Sequence, residues 1–239
     1  METVSTAFGK ATITLETGKL AKQANGSILV HYGDTVVLVA ATADKGSGVG
    51  ADFFPLSVHY VEKAYAAGRI PGGFFKREGR LSESETLTSR LIDRPLRPSF
   101  DENYLAETLI MATVLSSDQD NAPDIAAMIG ASAALCVSDI PFYQPIGGIR
   151  VGCINGEFVV NPTATELEES ELNIIMAASK DAILMVEGEA KEVSEEVMLD
   201  ALWFGQEQIQ PIIQIQEELM QRCGKPKREV AIPEIDEEL

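Results

Sequence analysis

The chain has 239 residues, 45% of them hydrophobic, which is enough apolar material to bury a sizeable core and excludes disorder as the default state. A formal net charge of −18 argues against a surface that attracts nucleic acid uniformly, because carboxylates repel phosphate. The charge is unevenly spread, however: Arg69 to Arg97 holds seven bases against four acids, while Glu157 onward holds twenty acids against six bases.

In chain order, alternation predicts a strand at Ala11 to Leu15 and a hairpin from Ser27–His31 and Thr35–Ala41 around Tyr32-Gly33-Asp34. Phe53 to Val61 reads as β-rich apart from Pro55, and Ala64 to Arg80, rich in Gly, Arg and aromatics without a period, reads as a long exposed loop. Ser82-Glu83-Ser84-Glu85 fits a capping box opening a helix through about Asp93, with Pro95 and Pro98 closing it. A buried strand is expected over Leu109 to Leu115 and a helix of small and apolar residues over Asp124 to Val137. Two strand pairs follow, Ile149–Ile154 with Glu157–Asn161 across Asn155-Gly156, then Leu172–Ser179 with Ala182–Glu187. Lys191 to Gln221 has helical spacing, is expected to break or kink at Pro211, and stops near Gly224 and Pro226; Lys225 to Leu239 reads as a charged linker. This order predicts an α+β fold of mixed sheets packed with helices, ending in a long helix that carries Trp203 and Phe204 in a core-packing role.

Cys136, Cys153 and Cys223 are too far apart and too few for a disulfide framework or a zinc site, which points to a reducing compartment. Met1-Glu2-Thr3 opens no leader segment, and no apolar run approaches the roughly 20 residues of a membrane helix. A cytoplasmic, soluble protein with no membrane partner is expected.

The loop Gly72-Gly73-Phe74-Phe75-Lys76-Arg77-Glu78-Gly79-Arg80 sets two adjacent aromatics beside three cations in glycine-flanked backbone. Single-stranded RNA wants that combination, since bases stack on aromatic faces and cations neutralise the backbone. The alternative is that Phe74 and Phe75 tuck into the core as a loop anchor. Arg90, Arg94 and Arg97 are four and three apart, so they point towards one place and suit bidentate phosphate contacts, or else pair with Glu83, Glu85 and Asp93. His31 and His59 have no partner at metal-ligand spacing, and Glu166, Glu168, Glu169 and Glu171 read as a solvated acidic turn.

The runs Ala66-Ala67-Gly68-Arg69-Ile70-Pro71-Gly72, Phe74 to Arg80 and Arg90-Leu91-Ile92-Asp93-Arg94-Pro95-Leu96-Arg97-Pro98 resemble the first RNase PH domain of the bacterial polynucleotide phosphorylase family. Gly33-Asp34-Thr35-Val36-Val37, Asp124 to Leu135 and Pro145 to Gly152 extend the likeness over most of the chain. The resemblance implies an RNase PH-like domain over residues 1–222, with 223–239 opening a linker to a helical segment and a second RNase PH-like domain that the chain stops short of. It implies that Phe74, Phe75, Lys76, Arg77 and Arg80 line the central channel of a three-chain ring and grip RNA, with Arg90, Arg94, Arg97 and Arg150 near its path. Lys76 stands where many members have Arg.

The reaction so implied is reversible 3′-to-5′ phosphorolysis: inorganic phosphate attacks the RNA 3′ end and releases a nucleoside diphosphate, with Mg²⁺ as cofactor. In the catalytic copy a serine run at the start of the small-residue helix holds phosphate; here the place reads Asn121-Ala122-Pro123-Asp124, and Ser116 and Ser117 come too early. The acids and Lys that the catalytic copy carries on the strand matching Leu172 to Ile175 are likewise missing, since Asn173 and Ile175 cannot do their work. This domain is therefore expected to hold no catalytic and no metal-binding residue, to bind single-stranded RNA, and to support a homotrimer with a place in an RNA-degradation complex. A stand-alone RNase PH-like enzyme and a non-catalytic subunit of an exosome-like ring are the alternatives.

Overall fold

In a computed structural model, which describes residues 1–46 and 52–230, two sheets enclose one helix. Strands β1 (Glu2–Phe8), β2 (Ala11–Thr17), β3 (Gly26–Tyr32), β4 (Thr35–Ala43), β5 (Leu56–Glu62) and β6 (Thr108–Ser116) form the first, in the order β1-β2-β3-β4-β6-β5. All neighbours are antiparallel except β5 and β6. A parallel pair needs a crossover, and this one contains a 3₁₀ turn (Ala64–Ala67), the exposed loop and helix α1 (Glu83–Leu96). The second sheet, β10-β9-β7-β8, is antiparallel throughout: β7 (Gly147–Ile154), β8 (Glu157–Val160), β9 (Leu172–Ala178) and β10 (Ile183–Ala190). The β7–β8 turn is Asn155-Gly156, both with positive φ (52° and 80°), the backbone an Asn-Gly hairpin turn requires.

Helix α2 (Pro123–Val137) lies between the sheets, and every residue from Ile125 to Val137 is buried. A helix with no polar face must be covered on every side. Here β3, β4 and β6 cover one side, and β7, α1 and the long helix α4 (Glu195–Cys223) cover the rest. Small side chains let the layers close: a Cβ on Gly130 would lie 2.7 Å from methyl groups of both Val30 and Val39. The helix ends against the chain beyond α4, where the Lys227 ammonium donates to the carbonyls of Leu135, Cys136 and Ser138 at 2.8, 2.9 and 2.8 Å. Arg228 pairs with Asp139 at 2.8 Å, so Lys225 to Val230 lies along the body instead of leaving it as a free linker. The remaining part of the expected linker, 231–239, is outside the described residues.

The structure departs from the sequence reading at several elements. Strand β1 was not anticipated, and neither was the short helix α3 (Ala164–Glu169), which a Thr163–Glu166 capping box opens where an acidic turn was expected. Helix α1 continues past Pro95 to Leu96, because a proline in the last turn removes only one helical bond and its ring is buried. Helix α4 begins at Glu195, capped by Ser194, and runs through Pro211 without a break. Trp203, expected in the core, is 67% exposed, while Phe204 packs on Phe158. Replacing Gly130 by Ala should destabilise the chain by about 1–3 kcal/mol, from overpacking between β3 and β4, as read by denaturant unfolding; an unchanged midpoint would contradict the close approach.

Candidate nucleic-acid interface

The loop between β5 and α1 is presented outward. Every residue from Gly72 to Ser84 is exposed, and Phe74 and Phe75 are 93% and 81% exposed with ring centroids 5.5 Å apart, nearly perpendicular. The core-anchor alternative fails for both rings. The glycines serve the turn itself: Gly73 has φ +75°, and Lys76 next to the rings also takes a left-handed φ of +51°, rare for a residue with a Cβ. Two exposed aromatic faces are the platform on which unpaired bases stack.

The cations divide into two groups. Among the described residues, the side chains of Arg69, Lys76, Arg77, Arg80 and Arg90 have no hydrogen-bond or ion-pair partner. The others are engaged. Arg94 pairs with Glu187 of β10 at 2.7 Å, in an exposed contact that solvent screens. Arg97 forms a two-pronged pair with Asp93 (3.0 and 2.8 Å) and donates to the carbonyls of Phe54 and Leu56 at 3.0 Å each, fastening the end of α1 to the start of β5. Arg97 thus belongs to the scaffold, and Arg90, Arg94 and Arg97 do not act as one free cationic face.

Arg150 is the most enclosed of the candidates. Its guanidinium on β7 bonds Asp124 at 2.6 Å and Asn173 at 2.8 Å, with the two charged side chains only 13% and 17% exposed, and its Nε is buried without a partner. Asp124 stands in the first turn of α2, where the positive helix end favours a negative group. Its own carboxylate supplies that negative charge, and Arg150 neutralises it. The place where an anion would be held at this helix start is therefore filled from within, and Pro123 contributes no N–H. The adjoining cleft, about 420 Å³, is lined by Ser84, Thr88, Asp124, Arg150, Asn173 and Glu187.

The loop that precedes α2 is pinned as well. The Asp118 carboxylate accepts from the Asp34, Asp120 and Asn121 main-chain N–H groups at 2.9, 3.0 and 2.8 Å and from Thr35 Oγ1 at 3.0 Å. Burial alone would raise its pKa, yet the bonds from Asn121, Asp34 and Thr35 outweigh that and hold it at about 2. Asn121 is thereby committed to structure. No group of three or more His, Cys, Asp or Glu side chains among the described residues is placed to hold a metal ion, so the donors present do not fit a Mg²⁺ site. No helix among them is long and apolar enough to cross a membrane.

Sequence reasoning passed over three residues that shape this surface. Arg69 and Lys63 line an open cleft of about 530 Å³ beneath the loop, with Ile70, Ser117 and Pro123. Glu85 appeared as a helix cap, but its carboxylate also reaches the Glu62 N–H of β5 at 2.8 Å. Spacing along the chain does not signal such a contact, because it depends on how α1 lies on the sheet. Removing Asp124 leaves the Arg150 charge enclosed and unpaired. Asp124→Ala should cost about 3 kcal/mol of stability, and adding Arg150→Met should restore part of it; strictly additive losses in denaturant titrations would contradict the coupling.

The chain matches two models of the 3′ exoribonuclease family (RNase PH), domain 1 over residues 11–141 and domain 2 over 144–208, the change falling where the chain passes from α2 to the second sheet. It is 61% identical over 240 residues to a polyribonucleotide nucleotidyltransferase of Geotalea uraniireducens and 61% identical over 236 residues to that of Geobacter sulfurreducens, covering 100% and 99% of this chain. A relative of the same name from Heliobacterium modesticaldum is 52% identical over 239 residues. In each case the chain spans 34% of the relative's length. Its fold is that of rice (Oryza sativa) Rrp46, at a TM-score of 0.70 and 17% identity over 87% of this chain and 94% of that one. The chain belongs to the 3′ exoribonuclease family, in its RNase PH-like fold, and matches about a third of the polyribonucleotide nucleotidyltransferases it resembles.

Proposed function

We propose that this domain holds single-stranded RNA for a phosphorolytic 3′-to-5′ exoribonuclease without itself performing the chemistry. The observation that carries the reading is the loop: two neighbouring aromatic rings, both exposed, beside Lys76, Arg77 and Arg80, none of which has a partner among the described residues. Apolar rings that face water with no covering element are favoured when something stacks on them, and unpaired cations beside them fit a phosphate backbone. Arg69 and Arg90 extend the free positive charge, Arg94 can join by giving up an exposed ion pair, and Arg97 and Arg150 act by holding the scaffold.

In the whole protein, on this reading, inorganic phosphate is the co-substrate. One of its oxygens forms the new bond to the terminal phosphorus, and the 3′ oxygen of the preceding nucleotide leaves, so a nucleoside diphosphate is released and the step is reversible. The Asp124–Arg150 pair at the start of α2 supports assigning that step to a second RNase PH-like domain, with Mg²⁺ held there by residues outside this chain. Residues 1–222 are then the RNA-holding domain and 223–239 the start of the connection. A homotrimer in the cytoplasm, able to join a larger RNA-degradation complex, completes the proposal.

Replacing Phe74 and Phe75 together by Ala should weaken binding of a fluorescent single-stranded oligoribonucleotide by about 1–3 kcal/mol for each base that no longer stacks, while leaving the unfolding midpoint unchanged. Replacing Arg77 by Ala should flatten the salt dependence of log affinity by about 0.7 for each phosphate it ceases to neutralise. Wild-type affinity in the double aromatic variant would overturn the role given to the loop.

A further inference from the structure

We infer that Glu85, which makes no RNA contact in the reading above, is the positioning residue of the aromatic-basic loop: its carboxylate ties the strand where the loop begins to the helix where it ends. The inference rests on the loop being the RNA contact.

Strand β5 is the edge of the first sheet and pairs only with β6, so N–H groups on its outer side have no strand to bond. Helix α1 lies along that edge and takes the missing strand's place. Tyr60 N–H donates to Ser89 Oγ at 2.9 Å, and Glu62 N–H donates to Glu85 Oε1 at 2.8 Å. The periods match: two residues of strand advance by about 6.7 Å, one turn of helix by about 5.4 Å, so side chains four apart on α1 meet N–H groups two apart on β5. The second carboxylate oxygen of Glu85 accepts from the Ser82 N–H at 2.6 Å, while Ser82 Oγ accepts from the Glu85 N–H at 3.1 Å.

A capping-box glutamate ordinarily serves its own helix alone. Here one buried carboxylate serves two elements, and everything from Lys63 to Leu81 hangs between them. A second acid reinforces the tie, since Glu78 accepts from the Ala64 N–H at 3.2 Å and lies 3.9 Å from Lys63. These two carboxylates lower the positive charge of the very segment that would attract phosphate, a loss that their use as fasteners offsets. A loop with joined ends explores fewer arrangements, so less ordering is required when RNA stacks on its tip.

The test separates fastening from capping. Ser82→Ala removes the cap hydroxyl but keeps both N–H groups that Glu85 binds, whereas Glu85→Gln leaves one acceptor oxygen and turns an NH₂ donor towards the other N–H. Both variants weaken the helix start. Only Glu85→Gln is expected to weaken oligoribonucleotide binding by about tenfold, with Ser82→Ala within about twofold of wild type, and only Glu85→Gln should speed amide exchange at Glu62 by about tenfold in the absence of RNA. Equal losses of affinity in the two variants would reduce Glu85 to a cap and overturn the inference. Faster exchange at Glu62 with unchanged affinity would overturn it too, leaving the RNA role of the loop intact. Should the Phe74/Phe75 double variant bind RNA as wild type does, that role falls, and the positioning inference with it.

Discussion

The structure depends on covering α2. From Ile125 to Val137 the helix offers no side to water, so its burial decides where everything else stands. One sheet has to lie against it closely enough for Gly130 to meet Val30 and Val39, the other has to close from the opposite side, and its last carbonyls have to find donors in Lys227. Burial opposes the Lys227 charge, but three carbonyl acceptors at a helix end retain it there. The same burial pushes the Cys136 thiol up to about 12, leaving it inert inside the helix.

Two consequences for function follow from that packing. At its start, α2 has exchanged the means of holding a free anion for an internal carboxylate, and the Asp124–Arg150–Asn173 chain of bonds links the helix to the second sheet. At the edge of the first sheet, α1 is laid against β5 with Glu85, Ser89 and Arg97 as fasteners, so the loop between them projects from a rigid base. The chemistry absent from one place and the gripping surface built in the other are both results of how charged side chains are shared between neighbouring elements. Free cations at the loop and committed ones at the scaffold are the same residue types in different surroundings.

How much of this can be read from residues alone depends on the range of the interaction. Local patterns sufficed for the hairpin at Gly33, the Asn155-Gly156 turn, the capping box of α1, the small-residue helix and the exposed loop, since turns, caps and periods act within a few positions. Strand β1 was missed because Glu2 to Phe8 alternates polar and small residues with few large apolar ones, and its place comes from pairing with β2. The capping box at Thr163 and Glu166 was as legible as that at Ser82 and was overlooked among acids read as solvated. The division of the arginines could not be read at all: Arg97 meets carbonyls of Phe54 and Leu56, and Arg150 meets Asp124, contacts across 41 to 43 and 26 positions that exist only once the sheets are packed.

The central claim is that RNA is held at the outward loop and not at the start of α2. Photocrosslinking the chain to a single-stranded oligoribonucleotide carrying 4-thiouridine, followed by peptide mapping, tests it directly. Crosslinks confined to the segment from Arg69 to Arg80, with Phe74 and Phe75 most heavily modified, are the predicted result. Crosslinks centred on Asn121 to Asp124 or on Arg150 would contradict the account, because they would mean that the enclosed ion pair opens to admit the strand.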